Sequence, residues 1–146
     1  MYEVFDHTAD VGIRVRAASL DGLFADAARG LFAVMVENFE AVEPVEEATF
    51  ELEADDVEEL LHDWLAELLY TFAARRLAFA EFDVRIEESE RRGQVAHPER
   101  LAAIARGEPL DLRRHRLDVE VKAVTWHGLK VERQPDGWIA EVIIDI

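Results

Sequence analysis

Asp55-Asp56-Val57-Glu58-Glu59-Leu60-Leu61-His62-Asp63-Trp64-Leu65-Ala66-Glu67-Leu68-Leu69-Tyr70-Thr71-Phe72-Ala73-Ala74-Arg75-Arg76 is the most regular stretch of the chain. Val57, Leu60, Leu61, Trp64, Leu65, Leu68, Leu69 and Phe72 recur at intervals of three and four, which lines one side of a helix with apolar groups. Asp55 and Asp56 open the helix, and Glu59 follows Asp56 by the three residues of a capping box. Arg75 and Arg76 complement the partial negative charge at its end. A helix with so apolar a face must bury it against a second layer.

The flanking sequence supplies that layer. Ala48, Phe50 and Leu52 alternate with Thr49, Glu51 and Glu53, as in a half-buried strand before the helix. Phe82, Val84 and Ile86 alternate after it, in a strand beginning near Phe79. Further upstream, Tyr2–Phe5 and Val11–Val15 read as strands. Leu20, Leu23, Phe24, Ala27, Ala28, Leu31, Phe32 and Met35 then form a second helical stripe behind the N-cap Ser19, fading near Asn38. Glu87 to Arg116 reads as a charged, loop-rich excursion. Within it, Pro98 to Arg106 is expected as a short helix stopped by Gly107, and His97 and His115 are expected to face water. Leu117–Trp126, His127–Arg133 and Trp138–Ile146 read as three late strands, the last two joined at the turn Pro135-Asp136-Gly137. The expected fold class is α+β, with two long helices packed on a mixed, largely antiparallel sheet that uses both ends of the chain. A length of 146 residues, half of them hydrophobic, suits one domain over 1–146.

Composition narrows the function. Thirty-two acids oppose sixteen Lys and Arg, for a formal net charge of −16. Displacing counterions from nucleic-acid phosphates needs positive charge, so stable direct nucleic-acid binding is not expected. The balance suits a divalent cation or a basic protein partner, and equally a solvated acidic surface. Cysteine is absent, which removes disulfides and thiolate ligands. No apolar run of about 18 residues is present, so no membrane helix is expected. Met1–Asp10 carries acids and no Lys or Arg, unlike a targeting peptide, and a cytoplasmic location is the default expectation. The chain has no P-loop, GxGxxG, GxSxG or HExxH.

Three places can carry chemistry. Asp6-His7-Thr8-Ala9-Asp10 gathers two carboxylates and an imidazole before a strand, although side chains capping a turn would look the same. Asp145 breaks the apolar run Val142-Ile143-Ile144 and stands beside the terminal carboxylate of Ile146. Like charges that close favour a shared cation, unless the end frays into water. Lys122 is one of only two lysines and lies on the polar side of its strand, where it could meet an acidic partner or simply solvent. His62, beside the helical stripe, reads as a flank or surface residue.

These pieces fall in the order of a known family. Asp6-His7-Thr8-Ala9-Asp10-Val11-Gly12-Ile13, the helix entry Ser19-Leu20-Asp21, Gly107-Glu108, Val121-Lys122-Ala123-Val124-Thr125-Trp126-His127-Gly128-Leu129 and the ending Val142-Ile143-Ile144-Asp145-Ile146 resemble the archease family across nearly the whole chain. Trp126 stands where tyrosine is more usual, a change that should preserve packing. The resemblance implies a strand-helix-strand-strand module and a non-catalytic role as activator of RtcB-type RNA ligases. Those ligases serve tRNA splicing and RNA repair, and the activator promotes their GTP-dependent guanylylation and multiple turnover. It implies a divalent metal, calcium first with magnesium or manganese as alternatives, held by Asp10, Asp145 and the terminal carboxylate of Ile146. Asp6, Asp21, Glu43 and Lys122 would carry stimulation of the ligase, with His7 and His127 as imidazoles able to back the ligands. The alternatives are a metal-dependent phosphoesterase or hydrolase, and a general protein chaperone. Oligomeric state is not readable from the sequence.

Overall fold

The computed structural model describes residues 1–7, 10–88 and 99–146, with His7 described by its backbone alone. Thr8, Ala9, His97 and Pro98, all named above, lie outside the described residues. In chain order the elements are β1 (Tyr2–His7), β2 (Asp10–Ala17), α1 (Leu20–Met35), a short 3-10 turn (Phe39–Ala41), β3 (Glu46–Ala54), α2 (Val57–Arg75), β4 (Leu77–Glu87), β5 (Glu99–Pro109), β6 (Ala123–Val124), β7 (Lys130–Gln134) and β8 (Gly137–Asp145).

The strands form two sheets where the sequence led us to expect one. The first runs β1-β2-β8-β6, with β7 also paired to β8, and the second runs β3-β5-β4. All pairings between these strands are antiparallel. Both helices touch both sheets, which accounts for their composition. α1 buries residues around most of its girth, including Leu23, Phe24, Ala27, Ala28, Leu31 and Phe32, as a helix covered from two sides must. α2 buries Leu60, Leu61, Trp64, Leu65 and Leu68 from its expected stripe. Edge-to-face aromatic contacts link the layers: Phe32 meets Phe72 and Phe79, and Trp64 meets Phe50 and Phe82. The buried indole N–H of Trp64 donates to the Phe24 carbonyl at 3.0 Å, joining α2 to α1.

The caps follow the sequence closely. Ser19 accepts from the Gly22 amide at 3.1 Å, and Asp56 accepts from the Glu59 amide at 2.8 Å. Glu59 reaches back to the Asp55 amide at 3.3 Å, one residue earlier than a simple capping box would place it.

Three expectations are corrected. Residues 99–109 are not helical; they form β5, the central strand of the second sheet. Leu101, Ala103 and Ala105 face the core from it, while Ala102, Ile104 and Arg106 point outward. That is the two-residue period of a strand, written in alanines that favour a helix in isolation. Gly107 lets β5 lie close to β4, since a Cβ there would come within 1.9 Å of the Ala78 carbonyl oxygen. The long strand expected from Leu117 to Trp126 shrinks to Ala123–Val124 with an isolated bridge between Val36 and Leu117, and the next strand begins at Lys130 instead of His127. His115, expected in water, is 1% exposed.

Candidate functional site

β2 lies between β1 and β8, so the strands nearest the two ends of the chain are neighbours. One row of paired residues crosses the end of the sheet: His7 opposite Asp10, Asp10 opposite Asp145, and Asp145 opposite Ala123. Directly opposed residues of an antiparallel pair project to the same face, about 5 Å apart at Cβ. Asp10 and Asp145 are therefore flanking carboxylates, both half-buried. The face is set by the pleat: Val11, Ile13 and Val15 turn inward with Ala140, Val142 and Ile144, which leaves Asp10 and Asp145 on the outer side. Ile146 follows directly, its side chain packed against the core.

The Lys122 amide donates to the Asp145 carbonyl at 2.8 Å, so this lysine belongs to the same corner, and its own side chain is exposed. Thr125 holds the next part of the segment to β8, its amide and its hydroxyl both donating to the Ile143 carbonyl at 3.0 and 2.9 Å. The His127 amide donates to the Thr125 hydroxyl at 3.3 Å, beyond the end of β6.

The remaining candidates do not converge there. Asp6 pairs with Val11, one step along the pleat from Asp10, and so projects to the opposite face. Asp21 lies in the first turn of α1 and accepts from the Ile86 amide at 2.9 Å, binding that helix to β4. Glu43 lies between the 3-10 turn and β3; its amide donates to Glu108 at 2.6 Å and its carboxylate is 3.6 Å from Arg114.

Around Glu43 the sequence concealed a buried charge cluster. Glu108 is 5% exposed and takes hydrogen bonds from the Glu43 amide and from Arg114. His115 Nδ1 accepts from the Asp111 amide at 3.0 Å, which leaves the proton on Nε2. That nitrogen lies 2.9 Å from Glu108 Oε1 without the alignment of a hydrogen bond. Burial pushes the Glu108 carboxyl up, but the Glu43 amide, the Arg114 guanidinium and His115 together bring it below the usual carboxylate range. No spacing rule flags this set; only the assembled fold brings residues 43, 108, 114 and 115 together.

The donor set at the corner fits a hard divalent cation in kind. Carboxylate oxygens are the ligands calcium and magnesium take, at six to eight or six positions. It does not fit a closed cage: among the described residues no three His, Asp or Glu side chains are grouped to hold a metal. An ion held by Asp10 and Asp145 would need further positions filled by water, the main chain or a partner.

A family model described as the Archease protein family (MTH1598/TM1083) matches residues 2–146. The chain is 40% identical over 145 residues to the protein archease of Methanopyrus kandleri, covering 99% of each. To the protein archease of Pyrococcus abyssi it is 41% identical over 146 residues, covering 99% of this chain and 98% of that one. The solution structure of Methanobacterium thermoautotrophicum protein 1598 superposes with a TM-score of 0.78 at 30% identity, covering 99% of this chain and 98% of that one. The fold is shared as well with a Thermotoga maritima crystal structure described as an archease and possible chaperone, at a TM-score of 0.60 and 21% identity over all of this chain and 98% of that one.

Proposed function

Because this chain belongs to the archease protein family, we propose that it is a non-catalytic accessory protein that activates an RtcB-type RNA ligase through a divalent-metal corner. The observation that carries the reading is the pairing of Asp10 with Asp145 on adjacent strands, beside Lys122. Like charges set directly opposite destabilise a strand pair, by roughly 0.2–1 kcal/mol. A cation between the two carboxylates would offset that repulsion. Asp10, Asp145 and the terminal carboxylate of Ile146 would hold the ion, which supplies positive charge at an otherwise acidic edge. Calcium suits the all-oxygen donors, with magnesium or manganese able to replace it.

The partner follows from charge. A chain of net charge −16 is attracted to a basic surface, and a ligase mouth that binds RNA phosphates and GTP must be basic. The acidic corner docks there, and Lys122 offers a point charge to an anionic group of the complex. Stimulation requires that the protein bind the ligase state competent for GMP transfer more tightly than the resting state. The test is guanylylation of a cognate RtcB-type ligase with and without the protein. Asp10→Ala and Asp145→Ala should each remove most of the stimulation while leaving the melting transition in place. Full stimulation by both variants, or turnover of a phosphoester by the protein alone, would overturn the reading.

A further inference from the structure

The segment that carries Lys122 is held from two sides. On one, the Lys122 and Thr125 amides bond to β8, at Asp145 and Ile143. On the other stands His62 of α2. Its Nε2 lies 3.0 Å from the Val124 carbonyl, and its Nδ1 lies 3.0 Å from Asp63 Oδ1. Its ring also stacks on Trp126, with centroids 3.8 Å apart and planes 14° from parallel. The His62 side chain is 14% exposed, whereas Trp126 is 57% exposed. A ring so open to water has no core to fix it, and the imidazole beneath it supplies that support. Val124 and Trp126, the two residues His62 grips, bracket Thr125, which bonds to β8. Ala123, directly before them, pairs with Asp145. Because β6 is only two residues long, the ladder alone gives the segment little hold.

We propose that His62 is the positioning residue of the acidic corner, clamping the Val124–Trp126 segment to α2 so that Lys122 and Asp145 keep a fixed relation. The inference rests on the reading of that corner given above. It assigns a role to a helix residue that is remote in sequence from both ends of the chain. It also explains why an aromatic ring lies flat on a mostly open surface.

Amide hydrogen exchange on the full chain reads the clamp directly, through the Lys122 amide that bonds to Asp145. In His62→Ala, exchange at Lys122 and Thr125 should quicken about tenfold, the scale of one lost hydrogen bond plus one ring contact. Amides of the α2 core such as Leu65 should keep their wild-type rates. His62→Gln, which keeps an N–H able to reach the Val124 carbonyl, should restore Lys122 to within about threefold of wild type. Calcium affinity, titrated in parallel, should weaken in His62→Ala and recover in His62→Gln. Wild-type exchange at Lys122 in His62→Ala, or an equal rise at Leu65, would overturn the proposal. Failure of the wild-type chain to bind any divalent ion would instead remove the corner reading, a separate result from the exchange rates.

Discussion

Two rows on the same face of the same two strands carry opposite arrangements of charge. Four residues in from the corner, Arg14 of β2 faces Glu141 of β8, and Arg14 Nε donates to Glu141 Oε1 at 2.8 Å. Glu3 of β1 stands 3.4 Å from the same guanidinium, which also lies 4.7 Å over the Phe5 ring, and Lys130 of β7 pairs with Glu141 from the far side. That row alternates in sign across four strands and satisfies itself. The row at the corner places Asp10 against Asp145. β2 and β8 are common to both rows, and β8 is flanked by β7 at Glu141 and by β6 at Asp145. A row that completes its own interactions serves the sheet. The second row sets two carboxylates side by side, which is where the proposed cation would lie.

The contrast can be tested by making one row into a copy of the other. Asp145→Lys gives the corner the alternating sign of the Arg14 row. The largest effect should be on the response to divalent ions. Wild type should gain about 2.7 kcal/mol at a hundredfold excess of calcium over its dissociation constant, read as a rise in melting temperature, and the variant should gain nothing. In chelator the same variant should melt higher than wild type by the equivalent of roughly 0.2–1 kcal/mol, because an opposed pair becomes a complementary one. A variant that melts lower in chelator would mean the two aspartates are not in conflict. Glu141→Gln should cost less, on the order of 0.5 kcal/mol at neutral pH, and leave the calcium response intact.

The smallest effect is its dependence on pH. The hydrogen bond from Arg14, opposed by burial and assisted by the charges of Lys130, Arg14 and Arg16, holds the Glu141 carboxyl below the usual carboxylate range. A carboxyl lowered in the folded state adds stability above its unfolded value, near 4.3, and loses it as pH falls through the folded value. The gap in melting temperature between wild type and Glu141→Gln should therefore be full at pH 7 and narrow as pH falls below the unfolded value. A gap that stays constant on acidification would show that Glu141 acts through packing instead of charge.

Where periodicity was strong, the sequence was a sound guide. The α2 stripe, the Ser19 and Asp56 caps, the turn before Gly137 and the inward set Val11, Ile13, Val15 all stand as read. The meeting of Asp10 with Asp145 was expected from family resemblance, because no local rule states which strands become neighbours. β5 was misread because Ala102, Ala103 and Ala105 suit a helix on their own, and the partners that make them a strand, β3 and β4, are contributed from elsewhere. His115 was misread because a histidine among arginines has the composition of a surface loop. Its burial depends on Glu108, which in turn depends on the amide of Glu43. His62 offered no signal beyond its place beside the stripe, since its partners at Val124 and Trp126 are more than 60 residues away.

The position of β8 has a consequence for how the polypeptide is made. β8 is the hub of the five-stranded sheet, pairing with β2 along one edge and with β6 and β7 along the other, yet it is synthesised after all of them. While residues 137–145 are still inside the ribosome, the β1–β2 hairpin can close but β2 lacks its second neighbour, and Val11, Ile13 and Val15 wait without the Ala140, Val142 and Ile144 that complete their layer. Completion of that sheet thus waits for the strand that is made last among those described, and the corner cannot form before it.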